Sequence, residues 1–185
     1  RHNLHESTSG VLTITGGKLT TYREMAEHTV DAAVRRLGVK ARCRTKTLKL
    51  LGAGRRSKPD GSASSNLLHR YGTLASEVTA LTTANPSLAE PLIPGMAHVR
   101  AEAVYAVRHE MALTLDDVLT RRTRARLFDR PATMAAAPAV AALLAGELGW
   151  DAAETQRQVA EFLAFCDEEV VAGRTASPSA AGAAS

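Results

Sequence analysis

The sequence predicts a mostly α-helical chain whose first residues form a strand, a turn and a helix of α/β type. Three observations predict it. Val11-Leu12-Thr13-Ile14-Thr15 is β-branched and apolar and runs into a glycine pair, which reads as a short buried strand. After Gly16-Gly17 the period changes, and Leu19, Tyr22, Ala26, Thr29, Val30, Ala33 and Leu37 fall on one helical stripe that Gly38 stops. From Asn66 to about Ala172 the chain is alanine-rich, with capped amphipathic segments.

Taken in order, Arg1 to Gly10 is polar and reads as a loop or hairpin arm. The helix from about Lys18 to Leu37 places Asp31 four residues before Arg35, a favourable pair, while His28 lies off the stripe and reads as solvated. Lys40, Arg42, Arg44, Lys46, Lys49, Arg55 and Arg56 come after it with no acid among them, and Thr47 to Leu50 is a short strand candidate. Gly52, Gly54, Pro59 and Gly61 with several serines make a linker. The expected boundaries are therefore a first segment 1–45, a linker 46–65, a helical domain 66–172 and a disordered tail 173–185.

Within the helical domain, Asn66 to Tyr71 closes at Gly72, Thr73 to Thr82 forms another helix, and the prolines from Pro86 to Pro94 make an irregular connection. A helix through Ala101 to Leu113 puts Glu102, Tyr105, Ala106 and His109 on one face. Thr114 and Asp117 resemble a capping box for the next helix, with Asp116 and Asp117 at its start and Arg121, Arg122 and Arg124 at its end. Thr133 to Leu148 stops at Gly149. Asp151 and Glu154 open the last helix, with Val159, Leu163, Cys166 and Val170 as its stripe.

Charge divides the chain. Residues 1–58 carry 13 Lys/Arg against 4 Asp/Glu, or +9, and residues 59–185 carry 10 against 15, or −5. A basic half suits an anionic ligand, an anionic membrane surface or nucleic acid. Nucleic acid fits worst, because no aromatics interleave with the cations and no zinc-finger or RNP-type motif is present. No apolar run approaches a membrane span, and the polar start at Arg1 reads as cut from something longer, so a C-terminal fragment is expected. Cys43 and Cys166 are too few and too far apart for a disulfide framework and read as small core hydrophobes. Glu102, His109, Glu110, Asp116 and Asp117 could in principle hold a metal. They lack the spacing of H-E-x-x-H or of a calcium loop, so Asp–Arg pairs and a Tyr–His contact are expected instead, with no metal.

The glycine pair carries the chemistry. A strand, two residues without Cβ and a helix start make an anion site: the first N–H groups of the helix are unpaired and its dipole end is positive. Lys18 adds a full charge there, and Thr20 and Thr21 add hydroxyls. The bland alternative is a plain strand-to-helix turn with a solvated lysine.

The run Thr15-Gly16-Gly17-Lys18-Leu19-Thr20-Thr21-Tyr22-Arg23 resembles the closing segment of the FAD domain in FAD-dependent glycerol-3-phosphate dehydrogenases. The stretch from Glu102 through Tyr105, Val107 and Glu110 to Thr114, Asp117, Leu119, Arg121, Arg122 and Thr123 resembles the pattern of that family's helical C-terminal domain, which is shared with alpha-glycerophosphate oxidase. The resemblance covers residues 1 to about 172. It implies a helical cap domain preceded by the last strand and helix of an FAD-binding α/β domain. It further implies that Gly16, Gly17, Lys18, Leu19, Thr20 and Thr21 lie against FAD, that Lys18 is catalytic and binds substrate, and that Arg1 binds the phosphate of sn-glycerol 3-phosphate. The product would be dihydroxyacetone phosphate, the acceptor a quinone, and the location cytoplasmic with room for attachment to the inner face of the membrane. A homodimer is left open. These residues contain no G-x-G-x-x-G to seat the FAD pyrophosphate, so the fragment alone is expected to be inactive. Two other readings stand beside this one: an oxidase that uses oxygen, and a non-enzymatic helical interaction module.

Overall fold

The computed structural model describes residues 2–54 and 62–175. The chain divides into two compact units, Arg1–Ala53 and Gly54–Ser185.

The first unit is a hairpin and a helix. Strands β1 (His2–Glu6) and β2 (Leu12–Gly16) pair antiparallel, with His2 opposite Gly16 and Leu4 opposite Ile14. The polar arm is thus a strand, and Gly10, at φ +87°, helps turn the chain between the two. One 3₁₀ turn, Leu19–Thr21, leads into helix α1 (Tyr22–Arg36), and Gly38 comes after it with φ +68°. The α-helix therefore starts at Tyr22, later than the pattern suggests. Lys18 stands before it with extended backbone, at φ −95° and ψ 151°.

Other expectations for this unit need correction. The strand Val11 to Thr15 is not buried, and no described residue of the first unit is. One two-stranded ribbon and one helix cannot cover each other's faces. Asp31 and Arg35 do not pair among the described residues; Arg23 binds Glu27 at 2.5 Å and Arg36 binds Glu6. His28 is hydrogen-bonded as well as solvent-exposed, its Nδ1 lying 2.8 Å from His2 Nε2. Thr47 to Leu50 forms no strand and begins as a turn with Leu48 N–H bonded to the Arg44 carbonyl at 3.1 Å. Cys43 is exposed, with Sγ 3.0 Å from Thr45 Oγ1.

The described part of the second unit is mostly helical, with one antiparallel bridge, Pro91 to Val99, in its connections. It holds α2 (Ala63–Tyr71), α3 (Ala75–Ala84), α4 (Arg100–His109), α5 (Ala125–Phe128), α6 (Arg130–Leu148) and α7 (Ala152–Thr175). Ser62 caps α2, Asp129 caps α6, and Asp151 Oδ1 accepts the Glu154 N–H at 2.7 Å ahead of α7. Helix α4 sits between two apolar clusters. Its Ala103 and Ala106 join Ile93, Leu115, Leu119, Leu144, Phe162 and Cys166, whereas its Val104 and Tyr105 join Leu67, Val78 and Leu88. That double burial explains why α4 shows no clean polar face.

The capping box at Thr114 is present. The Asp117 carboxylate accepts the Leu113 and Thr114 N–H groups, and the Asp117 N–H returns to Thr114 Oγ1 at 3.0 Å. The chain then makes a π-helical turn, Asp117–Arg122, closed by the Thr123 N–H on the Val118 carbonyl. Helix α6 corrects the reading of apolar runs, since its length and mean hydropathy of 1.3 match a membrane span. About a third of it is buried inside this unit, at Thr133, Ala136, Ala137, Val140, Ala141 and Leu144. Helix α7 continues to Thr175, past the expected start of a disordered tail at Gly173. Residues 176–185 of that tail lie outside the described residues, as do 55–61 of the expected linker.

Candidate functional site

The glycine turn is built by the hairpin. Strand β2 ends at Gly16 with φ +72°, and Gly17 continues at φ +83°, both in the left-handed region that favours glycine. A Cβ on Gly17 would lie 2.5 Å from Met25 Sδ, a flexible side-chain end that would have to swing aside, and the positive φ alone already disfavours a side chain here. The pair swings the chain from the ribbon into the helix. Thr21 closes the turn: its N–H and its Oγ1 both donate to the Lys18 carbonyl at 2.9 Å. The N–H groups of Lys18, Leu19 and Thr20 make no backbone hydrogen bond among the described residues. Lys18 and Thr20 are exposed, and Leu19 is 88% exposed. The structure thus brings Gly16 to Thr21 together at one corner. Arg1 lies outside the described residues.

A second feature of this unit escaped sequence reasoning. The stripe of α1 lines a cavity of about 490 Å³ with Leu48 and Leu50, rimmed by Arg23, Arg42 and Arg44. The basic run is therefore partly folded along α1: Arg23 Nη1 donates to Thr45 Oγ1 at 3.2 Å.

In the second unit the titratable groups gather around α4. Glu102 is 1% exposed. Its Oε2 accepts the Val99 N–H at 2.8 Å, capping a helix whose N-cap residue has no side-chain acceptor, and Oε1 lies 3.2 Å from Arg70 Nε. Burial raises the Glu102 carboxyl, against the pull of Arg70. Tyr71 lies beside it, its phenol pushed above the usual range by burial and then by the Glu102 charge. Tyr105 donates to Glu77 Oε2 at 2.9 Å and is pushed up to about 12, first by burial. The expected Tyr–His contact is there, with the Tyr105 and His109 rings 4.6 Å apart. So is the Asp–Arg network, in which Arg121 binds Asp116 at 2.6 Å and Asp117 at 2.9 Å. No group of three or more metal-ligating side chains occurs among the described residues.

The same unit holds a cavity of about 670 Å³ between α2, the loop 96–98, Glu110 and the segment Arg122–Phe128. His98, on its wall, is 7% exposed and held down to about 4, by burial and then by Arg70. Its residues come from four separate stretches, so no local pattern announces it.

A hairpin and helix with a glycine corner, followed in sequence by a helical unit, describes the class, and comparison with known proteins gives it a family. A family model described as the C-terminal domain of alpha-glycerophosphate oxidase matches residues 43–155, more than half of the chain. The chain belongs to that family. It is similar to glycerol-3-phosphate dehydrogenase 2 of Mycobacterium tuberculosis, 35% identical over 184 residues, covering 92% of this chain and 32% of that protein. Glycerol-3-phosphate dehydrogenase 1 of the same organism is 43% identical over 134 residues, covering 70% and 26%. Among solved structures, the glycerol-3-phosphate dehydrogenase from Bacillus halodurans complexed with FAD matches with a TM-score of 0.73 and 28% identity, over 89% of this chain and 36% of that one. The chain spans about a third of the length of the curated relatives it matches. The expected fold class, helical with a short α/β lead-in, agrees with this.

Proposed function

We propose that this chain is part of an FAD-dependent flavoprotein that oxidises sn-glycerol 3-phosphate to dihydroxyacetone phosphate. The observation that carries the reading is the glycine corner, in a chain whose relatives are named glycerol-3-phosphate dehydrogenases and whose solved relative was complexed with FAD. The corner fits a flat ring with one electron-rich edge. Leu19 offers an exposed apolar surface, the N–H groups of Lys18, Leu19 and Thr20 find no acceptor among the described residues, and Lys18 adds a cation. Gly16 and Gly17 keep the backbone free of side chains where the ring would approach. FAD, when bound, supplies the hydride acceptor. Lys18 holds the ammonium beside substrate and ring edge, and Thr20 and Thr21 complete the polar rim. Arg1 binds the substrate phosphate, a task that suits a guanidinium fork.

A quinone is the proposed acceptor, reached from the cytoplasmic membrane face, with the basic run from Arg35 to Lys58 favouring anionic lipid. The description of the matching family as an oxidase domain favours a second reading, in which oxygen is the acceptor. The full-length protein tests both. It should be yellow, and anaerobic sn-glycerol 3-phosphate should bleach it while glycerol does not. Reoxidation by a quinone analogue without peroxide fits the dehydrogenase, and peroxide formed in air fits the oxidase. Lys18→Met should slow bleaching by about 10²–10³-fold, as for loss of one preorganised donor. A full-length protein without flavin, or one that substrate does not bleach, overturns the proposal. An unchanged bleaching rate in Lys18→Met removes the role of Lys18.

A further inference from the structure

In the second unit, Arg100, Arg108, Arg121, Arg126, Arg130 and Arg157 all sit in ion pairs. Arg122 and Arg124 have none among the described residues, and both line the cavity of about 670 Å³. Arg122 is aimed by one bond, from Nε to the Glu110 carbonyl at 2.9 Å, and its two terminal nitrogens make no hydrogen bond among the described residues. Arg124 makes no side-chain hydrogen bond among the described residues, and its backbone holds φ +58°, unusual for a residue with a side chain. Arg70 stands on the same wall, matched by Glu102 behind it. Counting Glu102 and Glu110, three guanidiniums face two carboxylates, an excess of one positive charge.

The remaining walls are apolar. Phe128 is 74% exposed and Met96 lies beside it. His98 Nδ1 is buried with no hydrogen-bond partner, and its ring is 6.4 Å from the Phe128 ring, centroid to centroid. A partly enclosed hollow of this volume, with an apolar wall and a few convergent polar groups, has the character of a small-molecule site. The arginines set the charge: Arg124 has no carboxylate partner among the described residues, Arg122 shares Glu110 with Arg70 without a direct ion pair, and planar forks of this kind take oxyanions.

We propose that this cavity binds a small molecule carrying an oxyanion, phosphate or carboxylate, with an apolar or aromatic body. The oxyanion sits on Arg122 and Arg124, and the body lies against Phe128 and Met96. The site belongs to the helical unit and needs neither flavin nor the glycine corner.

The test uses the 185-residue chain and follows amide chemical shifts. Phenyl phosphate should produce saturable shifts at residues 96–98 and 122–128. Inorganic phosphate and phenylacetate separate headgroup from body, and the tighter headgroup tells which oxyanion the site prefers. Arg124→Gln should weaken phenyl phosphate about tenfold, the size of one lost charge-assisted contact. This variant removes no side-chain hydrogen bond or ion pair among the described residues, so it should fold. Arg122→Gln should do the same, and Arg121→Gln, next door but paired with Asp116 and Asp117, should change nothing. Phe128→Ser should weaken phenyl phosphate and leave inorganic phosphate alone. The proposal is overturned if neither phenyl phosphate nor phenylacetate gives saturable shifts there, or if affinity is the same in Arg124→Gln as in the parent chain.

Discussion

The two units follow the same sequence rule and meet opposite ends. Helix α1 carries an apolar stripe as regular as any in the chain, yet Tyr22 is 62% and Val30 58% exposed. Helix α6 carries a less distinct stripe, and its Val140, Ala141 and Leu144 are buried. The difference is the opposing surface. Around α6 stand α4, α5 and α7, while α1 has a two-stranded ribbon and an irregular basic segment. Periodicity therefore specifies which face seeks cover, and it says nothing about whether the cover lies within the same stretch of chain. The glycine corner shares this exposure. That openness is what the proposed ligand role would require, since a packed core would close the corner.

The sharpest way to break this comparison is to separate the units. Residues 62–175 alone should give a helical circular-dichroism spectrum and one cooperative melt, because both apolar clusters lie inside them. Residues 2–54 alone should show no cooperative melt, because nothing described in that unit is buried. A cooperative transition from the short piece, or a featureless one from the long piece, would show that burial is not what distinguishes them.

A smaller effect is pH dependence, strongest in the second unit although the Glu27 carboxyl of the first is also lowered by Arg23. His98 titrates near 6.5 when unfolded and near 4 when folded. The folded state thus binds fewer protons in that window, so stability should fall as pH drops from about 7 to 4, by up to roughly 3 kcal/mol at 1.36 kcal/mol per unit. Glu102 works in the opposite direction. Its carboxyl is raised on folding, so its contribution favours low pH and fades as pH rises. His98→Gln should flatten the slope between pH 7 and about 5, while Asp117, Glu154 and Glu169, whose carboxyls lie below their usual values, keep a downward trend at lower pH. A melting temperature that falls equally in both proteins between pH 7 and pH 4 would assign the slope to other groups.

Much of the fold was legible because its signals are local. Strand β2 and the stop at Gly38 follow from five or six neighbouring residues, and so do the caps at Thr114–Asp117 and Asp151–Glu154. The glycine corner was legible for the same reason, since Gly16 to Thr21 are contiguous. The arginine cavity was not. Arg70, His98, Glu110, Arg122 and Arg124 are scattered along the chain, and Arg122 looked like Arg121, which does find an acid. The π-helical turn at Asp117–Arg122 was also hidden, because its extra residue depends on how Val118 and Leu119 fit the core. Thr47 to Leu50 misled for a simple reason: β propensity without a neighbouring strand leaves the backbone unpaired.

The smallest expected effect sharpens the comparison most. Val30→Ser changes an exposed position of α1, so in the 185-residue chain it should alter stability by less than about 0.5 kcal/mol. Valine and serine have similar helix propensities, so the helix itself should not object. The same substitution in a polypeptide with the length of the relatives reads the environment instead. If further chain covers the α1 stripe there, the valine is buried, and replacing it should cost about 1–3 kcal/mol from lost apolar burial and a hydroxyl left without a partner. The difference between the two measurements reports directly on whether the open face of the first unit is a contact surface. Equal and negligible effects in both would mean that the stripe stays in water, and the contrast between the units would then reflect two different kinds of helix rather than one rule with and without a partner.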